Sequence, residues 1–210
     1  VALQILKKGE LDFAGLRPIQ WVRQTQSEKF NRQFEKYKYD TPGYNFIAWN
    51  LHRPWFKDVR VRRALSGLVN REEILEKLNF GLGRTLSGPF YFSSKDYNQQ
   101  VVAVPYDPAK AVAELVEAGW EDHDGDGLRD KDGVPFRFEF LISSGSRFAE
   151  RLANILKEDL KKAGIEIEIR EVEWALFTRN LDQRQFDAVT LGWAFGFEQD
   201  PYQLWHSSQV

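Results

Sequence analysis

Hydrophobic residues occupy every second position along two stretches in the second half of the chain. Phenylalanine and then isoleucine alternate with mostly charged residues from 136 to 142, and isoleucine alternates with charged residues from 165 to 169. A period of two residues is typical of a strand with one buried face. The segment between them, 148–163, has apolar residues at helical spacing and is followed by Gly164. The three segments predict a βαβ unit with a right-handed crossover between parallel strands.

Caps, turns and spacing predict further elements on both sides of this unit. Asp58 and Asp107 are typical N-cap residues, and Pro108 follows the second at the first helical position. The remaining signals predict helices at 1–8, after Pro18, after Asp58, at 71–78, after Asp107 and at 174–181, strands at 44–51 and 186–193, an extended stretch at 11–16 and a loop at 81–98. Together they predict an α/β domain with a mixed sheet.

Composition narrows the class of function. The chain has 210 residues, of which 42% are hydrophobic, enough for one domain or one domain with an appendage. The net charge of -2 provides no basic surplus for nucleic acid or anionic lipid. There is no cysteine, and no serine lies in a recognisable nucleophile motif. Binding is therefore favoured over catalysis.

Seven tryptophans are the most informative side chains. Trp120 beside a helix end and Trp55 beside Pro54 are predicted to fill the core. Trp174 begins a predicted helix directly after a strand, and Trp193 lies at the end of a strand. Because ligands of α/β folds gather at strand ends, these two residues are predicted to line a binding site.

Short motifs follow one another along nearly the whole chain. They are Leu6-Lys7-Lys8-Gly9-Glu10-Leu11-Asp12, Asn50 with Phe56, Asp58, Arg60, Val61, Arg62 and Ala64, Asn70-Arg71-Glu72, Ala118-Gly119-Trp120, Asp124-Gly125-Asp126-Gly127, Ala163-Gly164-Ile165, Glu173-Trp174, Phe186-Asp187, Gly192-Trp193 and Asp200-Pro201. In this order they resemble family 5 of the bacterial extracellular solute-binding proteins, the dipeptide and oligopeptide receptors of ABC importers. A shared order of this length is hard to obtain by chance.

The resemblance implies the mixed-sheet lobe of a type II, periplasmic-binding-protein-like clamshell. Residues 1–42 are expected to be a remnant of the first lobe and the approach to the hinge, and residues 43–210 the second ligand-binding lobe. Family members carry a longer first lobe and more second lobe, so the clamshell is expected to be incomplete here. The implied protein is a monomeric, non-enzymatic receptor in the periplasm or a lipoprotein on the cell surface. Its implied partners are a small peptide or similar oligomer and the membrane subunits of an ABC importer, with no nucleic acid.

The resemblance also suggests which residues contact the ligand. Tryptophans at the positions of Trp174 and Trp193 line the peptide cleft in the family, and Tyr44 and Phe195 are expected beside them. Arg147 and Arg179 are candidates for a ligand carboxylate.

One position departs from the family pattern. Many peptide-binding members have an aspartate, which pairs with the peptide amino group, where this chain has Gly196. Glu198 or Asp200 are the available substitutes, although Asp200 also suits a cap of the last helix. The departure leaves other cargo open, including an oligosaccharide stacked on aromatic faces.

The segment 122–130 (D-H-D-G-D-G-L-R-D) is rich in aspartate and glycine. Asp122, Asp124 and Asp126 occupy positions 1, 3 and 5 of an EF-hand-like loop, the Leu128 carbonyl position 7 and Asp130 position 9. Position 12 is a glycine instead of the usual glutamate. Two interpretations stay open: a loop that holds one structural Ca²⁺, or a metal-free turn. No other cofactor is expected.

Two other functions are weighed against the receptor. One is a calcium-stabilised extracellular structural module, and the other is a hydrolase domain with an acidic pair.

The basic residues Arg60, Arg62 and Arg63 are predicted to form structural ion pairs rather than an anion site, because Val61 and Ala64 of the same helix are apolar.

Overall fold

The computed structural model describes residues 1–196 and 200–209. The helices are α1 (Ala2–Lys7), α2 (Pro18–Arg23), α3 (Glu28–Gln33), α4 (Val59–Gly67), α5 (Arg71–Asn79), α6 (Pro108–Glu117), α7 (Arg147–Lys162), α8 (Trp174–Asp182) and α9 (Tyr202–Trp205). The strands are β1 (Gly43–Trp49), β2 (Asp130–Lys131), β3 (Val134–Pro135), β4 (Arg137–Ser143), β5 (Glu166–Val172) and β6 (Ala188–Ala194). Short 3-10 turns lie at Pro54–Phe56 and Ser207–Gln209. None of the described helices is both long and apolar enough to span a membrane.

The main sheet has four strands in the order β1-β6-β4-β5. β4 is parallel to both β5 and β6, whereas β1 is antiparallel to β6. α7 connects β4 to β5, so the predicted βαβ unit and mixed sheet are confirmed. β2 and β3 form a separate two-stranded hairpin.

Both faces of β4 are buried. Leu141 packs with Val189 of β6 and Phe177 of α8 on one face. Phe138 points to the other face, where its ring lies 5.1 Å from that of Phe56 and 6.0 Å from that of Trp49. Alternation along the strand sends neighbouring residues to opposite faces, which explains how both faces are buried although charged residues interrupt the run.

The helix ends agree with the predicted caps. Asp58 accepts the Arg60 backbone N–H at 2.8 Å, and Asp107 accepts that of Lys110 at 3.0 Å. The Arg60 guanidinium pairs with Asp58 at 2.7 Å, as predicted. Arg62 instead donates to the carbonyl oxygens of Phe56 and Lys57, so among the described residues its role is structural without an ion pair.

Asn50 and Asp187, two residues of the resembling motifs, hold the edge of the sheet where β1 ends and β6 begins. The Asn50 side chain donates to the Phe186 carbonyl at 2.7 Å, and its backbone N–H donates to that of Asp187 at 2.8 Å. The Asp187 carboxylate accepts the Glu139 backbone N–H and pairs with Arg53 at 2.7 Å. Asn50 and Asp187 therefore have a structural role: they hold the strands together at this end of the sheet.

The chain divides into two compact units. One consists of residues 1–41 and 72–85, and the other of residues 42–71 and 86–210. The first has a small core of Leu3, Leu6 and Phe30. The second contains the main sheet.

The grouping differs from the predicted boundary, because residues 72–85 join the first unit. Within that unit the Arg23 guanidinium lies over the Phe80 ring at 5.5 Å, and Arg84 pairs with Asp40 at 3.1 Å. Such contacts join residues far apart in sequence, so the local sequence around residue 42 gives no sign of them. The assignment of the two units to two lobes stays a prediction.

Candidate functional site

The carboxyl ends of the three parallel strands lie at one edge of the main sheet. These ends are Ser143 of β4, Val172 of β5 and Ala194 of β6. The antiparallel strand β1 begins at the same edge, with Gly43 opposite Ala194. Ligands of open α/β sheets bind beyond the carboxyl ends of the strands, so this edge is the candidate site.

Three aromatic residues, here called the aromatic wall, lie together at this edge: Tyr44, Trp193 and Phe195. Tyr44 is the cross-strand partner of Trp193, and its ring lies 5.9 Å from that of Phe195. Paired residues share a face of the sheet and side chains alternate along a strand, so all three point to the side covered by α8. All three are half-buried, and burial raises the pKa of the Tyr44 hydroxyl above its usual value of 10.0.

A shallow concavity of about 30 Å³ adjoins the wall. Tyr44 and Trp193 line it together with Pro89, Phe90, Asp200, Pro201, Gln203, Leu204 and Trp205. Pockets that enclose small molecules measure roughly 300 to 1,000 Å³. These residues therefore offer a contact surface, not an enclosed pocket.

Trp174 lies outside the lining of this concavity. Its indole stacks on the buried Phe177 ring at 5.5 Å with an interplanar angle of 17°, and 57% of the residue is exposed. One ring face is thus supported by the core while the residue remains accessible. Its role as a second ligand contact stays a prediction.

Arg147 and Arg179 are both exposed, and neither forms an ion pair within the described residues. Arg147 is the first residue of α7, just beyond the carboxyl end of β4. Arg179 is five residues after Trp174 in α8, about 7.5 Å along the helix axis. Arg147 therefore lies close to the candidate edge of the sheet, whereas Arg179 lies farther along α8.

Asp200 lies at the start of α9 and beside the concavity, and its predicted contact with a ligand stays a prediction. Its carboxylate accepts the Tyr202 backbone N–H at 2.9 Å, as a residue that caps α9 would, and it also lines the concavity. Glu198, the other predicted substitute for the missing aspartate, lies outside the described residues.

Comparison with known proteins decides the family. A model of the middle part of the bacterial extracellular solute-binding proteins, family 5, matches residues 1–209. The chain belongs to this family. Its members are solute-binding receptors that act outside the cytoplasm, and they are not enzymes.

Two relatives show how the chain compares with longer family members. The oligopeptide-binding protein AppA of Bacillus subtilis (strain 168) is 37% identical over 172 residues, which are 80% of this chain and 32% of AppA. The structure of AppA in complex with a nonapeptide has a TM-score of 0.83 and 32% identity, and it covers all of this chain and 42% of that one. NikZ from Campylobacter jejuni, in complex with Ni(L-His), has a TM-score of 0.78 and 26% identity, covering 100% of this chain and 41% of that one. The chain thus spans less than half the length of these relatives.

The acidic loop of this family 5 chain brings three of its five predicted ligands together. Oxygen atoms of Asp122, Asp124 and Asp126 lie within 4.8 Å of one another. Asp122 accepts the backbone N–H groups of Gly125 and Gly127 at 2.8 and 3.0 Å. These bonds give the loop its tight turn with or without an ion.

The other two predicted ligands have different contacts. Asp130 turns towards His123, with 3.0 Å between its carboxylate and the ring Nδ1, and it also accepts the His123 backbone N–H. Leu128 donates its backbone N–H to Asp126 at 2.7 Å. Metal binding at this loop stays a prediction.

The remaining tryptophans follow the core prediction to different degrees. Trp120 is 3% exposed and packs on Phe136 at 4.5 Å, as predicted. Trp55 is half-buried, and its indole N–H donates to the Pro135 carbonyl at 2.8 Å.

Sequence patterns did not identify several residues that line the concavity. Pro89 and Phe90 belong to a long loop without periodicity, and Leu204 and Trp205 belong to the four-residue helix α9. The available signal was an apolar or aromatic residue in a loop or in a very short helix. It is too common to single out these positions.

Proposed function

We propose that the protein to which this chain belongs is the substrate-binding component of an ABC importer and binds peptides or similar small oligomers for uptake. The aromatic wall at the carboxyl edge of the sheet is the observation that carries the proposal. Membership of family 5 and the likeness to a relative solved with a nonapeptide support it.

The wall suits a ligand of variable sequence. Indole and phenol faces provide apolar contact area, and they impose little requirement on the side chains of the ligand. The exposed guanidinium groups of Arg147 and Arg179 are proposed to attract a carboxylate of the ligand. Trp174, with one ring face supported by Phe177, is proposed as a second stacking surface.

The receptor is proposed to work by closure of two lobes over the ligand, after which the closed form is presented to the importer. A ligand that contacts both lobes favours the closed state by its differential affinity for the two states. One lobe alone then supplies only part of the contact surface. We further propose that the protein is monomeric and is located in the periplasm or held at the cell surface as a lipoprotein.

Native mass spectrometry of the full-length protein, purified without refolding, tests the proposal. A co-purified mass that matches a short peptide or oligomer is expected, and it should disappear after mild unfolding. The same protein should leave a panel of peptides and oligosaccharides intact over a long incubation. Turnover of any panel member would contradict a binding function.

We also propose that the acidic loop holds one structural Ca²⁺. The convergence of three aspartate carboxylates within 4.8 Å supports this, because unneutralised carboxylates at such distances repel one another. Peptide binding itself is proposed to require no cofactor.

A further inference from the structure

Gly43 lies where the backbones of β1 and β6 approach each other closely. It is opposite Ala194 and immediately precedes Tyr44. A Cβ atom at position 43 would come within 2.9 Å of the Trp193 carbonyl oxygen and 3.5 Å of the Ala194 Cα. Cβ atoms essentially never lie within 3.0 Å of such an atom, so any side chain here would force the two strands apart.

The restriction at Gly43 comes from space and not from backbone conformation. Gly43 is not among the glycines with positive φ, so another residue could adopt its backbone angles. The obstacle is backbone, which cannot rotate aside as the tip of a flexible side chain can. The strands themselves would have to move.

The aromatic wall flanks this point on both strands. Tyr44 follows Gly43, and Trp193 supplies the carbonyl that a Cβ would meet. On the other side, the Phe195 backbone N–H donates to the Pro42 carbonyl at 3.2 Å. The positions of all three rings therefore depend on the same close contact between the backbones of residues 42–44 and 193–195.

We propose that Gly43 is a positioning residue for ligand binding: because it lacks a side chain, β1 approaches β6 closely enough for the three rings of the aromatic wall to lie side by side. The proposed function supplies the ligand in this inference. The effect of Gly43 on Trp193 does not depend on it, so the two can be tested separately.

The first test uses no ligand. Full-length protein labelled with 5-fluorotryptophan is examined by ¹⁹F NMR, with the Trp193 signal assigned from Trp193→Phe. Gly43→Ala is expected to shift the Trp193 signal and leave that of Trp120, which is buried elsewhere in the core. Gly15→Ala is the control, because a Cβ at Gly15 would meet nothing within 4 Å. An unchanged Trp193 signal in a folded Gly43→Ala variant would overturn the inference.

The second test measures binding of fluorescein-labelled nonapeptides of randomised sequence by anisotropy. Gly43→Ala is expected to bind them about five- to tenfold more weakly, the loss of part of one aromatic contact. Gly192→Ala should keep the wild-type affinity, because its Cβ would meet the movable Asn45 Oδ1 at 3.1 Å and the Tyr44 carbonyl oxygen only at an ordinary contact distance of 3.9 Å. In a Trp193→Ala background Gly43→Ala should cause little further loss, whereas a fully additive loss would overturn the inference.

Failure of the proposed function gives a different result. Wild-type protein that binds none of the nonapeptides, together with a shifted Trp193 signal, would contradict the peptide receptor and support the positioning role. If Gly43→Ala does not fold, hydrogen exchange of the Phe195 amide in the wild-type protein decides. Slow exchange supports close contact between the strands at the wall, and exchange as fast as in an unstructured peptide would overturn it.

Discussion

Trp193 combines a fixed place in the sheet with a side chain that can contact a ligand. Its backbone pairs with Tyr44, and its ring borders the concavity beside the wall. An indole in this position keeps contact area available without exposing a large flexible chain. Trp193 is therefore expected to contribute a large part of the free energy of ligand binding.

Trp193→Ala in the full-length protein is expected to weaken ligand binding by about 1 to 3 kcal/mol, the range for aromatic anchors at interfaces. Isothermal titration with a bound peptide measures the change. Trp55→Phe is the matched control, since that indole packs on Phe56 and bonds to Pro135, away from the wall. Equal affinities of the Trp193 variant and the wild type would contradict the assignment.

Sequence could place Trp193 at a strand end, because the signals that predict a strand at 186–193 are local. It could not separate Trp193 from Trp174, since both lie near the end of a strand. The difference arises from packing: Trp174 stacks on Phe177 of its own helix, and Trp193 is joined to Tyr44 across more than a hundred residues of chain.

The length and local pattern of each helix or strand explain which of them the sequence predicted and which it did not. α7 has five buried residues along one face, which produced a clear helical period. α3 has six residues with only Phe30 buried, and β2 and β3 have two residues each, too few to show any period. The grouping of α5 with the first unit depends on contacts that no local pattern records.

The stability that the N-cap residue Asp58 gives to α4 should depend on pH. The Arg60 side-chain and backbone hydrogen bonds lower the pKa of Asp58 below its usual 3.8. The contribution of the ionised Asp58 to stability is therefore present above pH 3.8 and is lost as pH falls through the lower, folded-state pKa.

Asp58→Ala is accordingly expected to lower the free energy of unfolding by about 1 kcal/mol near neutral pH. Asp58→Asn, which keeps a cap oxygen, should lower it by less. Urea unfolding near neutral pH and again well below pH 3.8 measures both effects. A difference between the wild type and Asp58→Asn that does not shrink at the lower pH would be inconsistent with this cap.

The acidic loop between α6 and the first hairpin has a test of its own. Millimolar Ca²⁺ is expected to raise the thermal midpoint of the full-length protein relative to EDTA, because an ion that binds only the folded loop stabilises it by mass action. Asp124→Asn combined with Asp126→Asn should abolish the difference, while Glu158→Gln, on the exposed side of α7, should leave it. An equal midpoint in Ca²⁺ and EDTA would leave only a metal-free turn.

At the scale of the molecule, the half-buried wall borders a concavity of only about 30 Å³. The 210-residue chain, checked for folding by circular dichroism, is expected to bind a peptide about a hundredfold or more weaker than the full-length protein. Fluorescence anisotropy with one labelled nonapeptide compares the two. Equal affinities would show that closure of two lobes contributes nothing to binding.

β5, the last strand in the order of the main sheet, has consequences for the behaviour of the protein at high concentration. Its outer positions carry Glu166, Glu168 and Arg170, and the first and last of these pair with Arg137 and Glu139 of β4. An edge strand offers unpaired backbone groups to any other chain in an extended conformation, and alternating charges make such association costly. The charged residues of β5 are thus expected to discourage association of this edge with extended chains, including the peptides that the protein is proposed to bind.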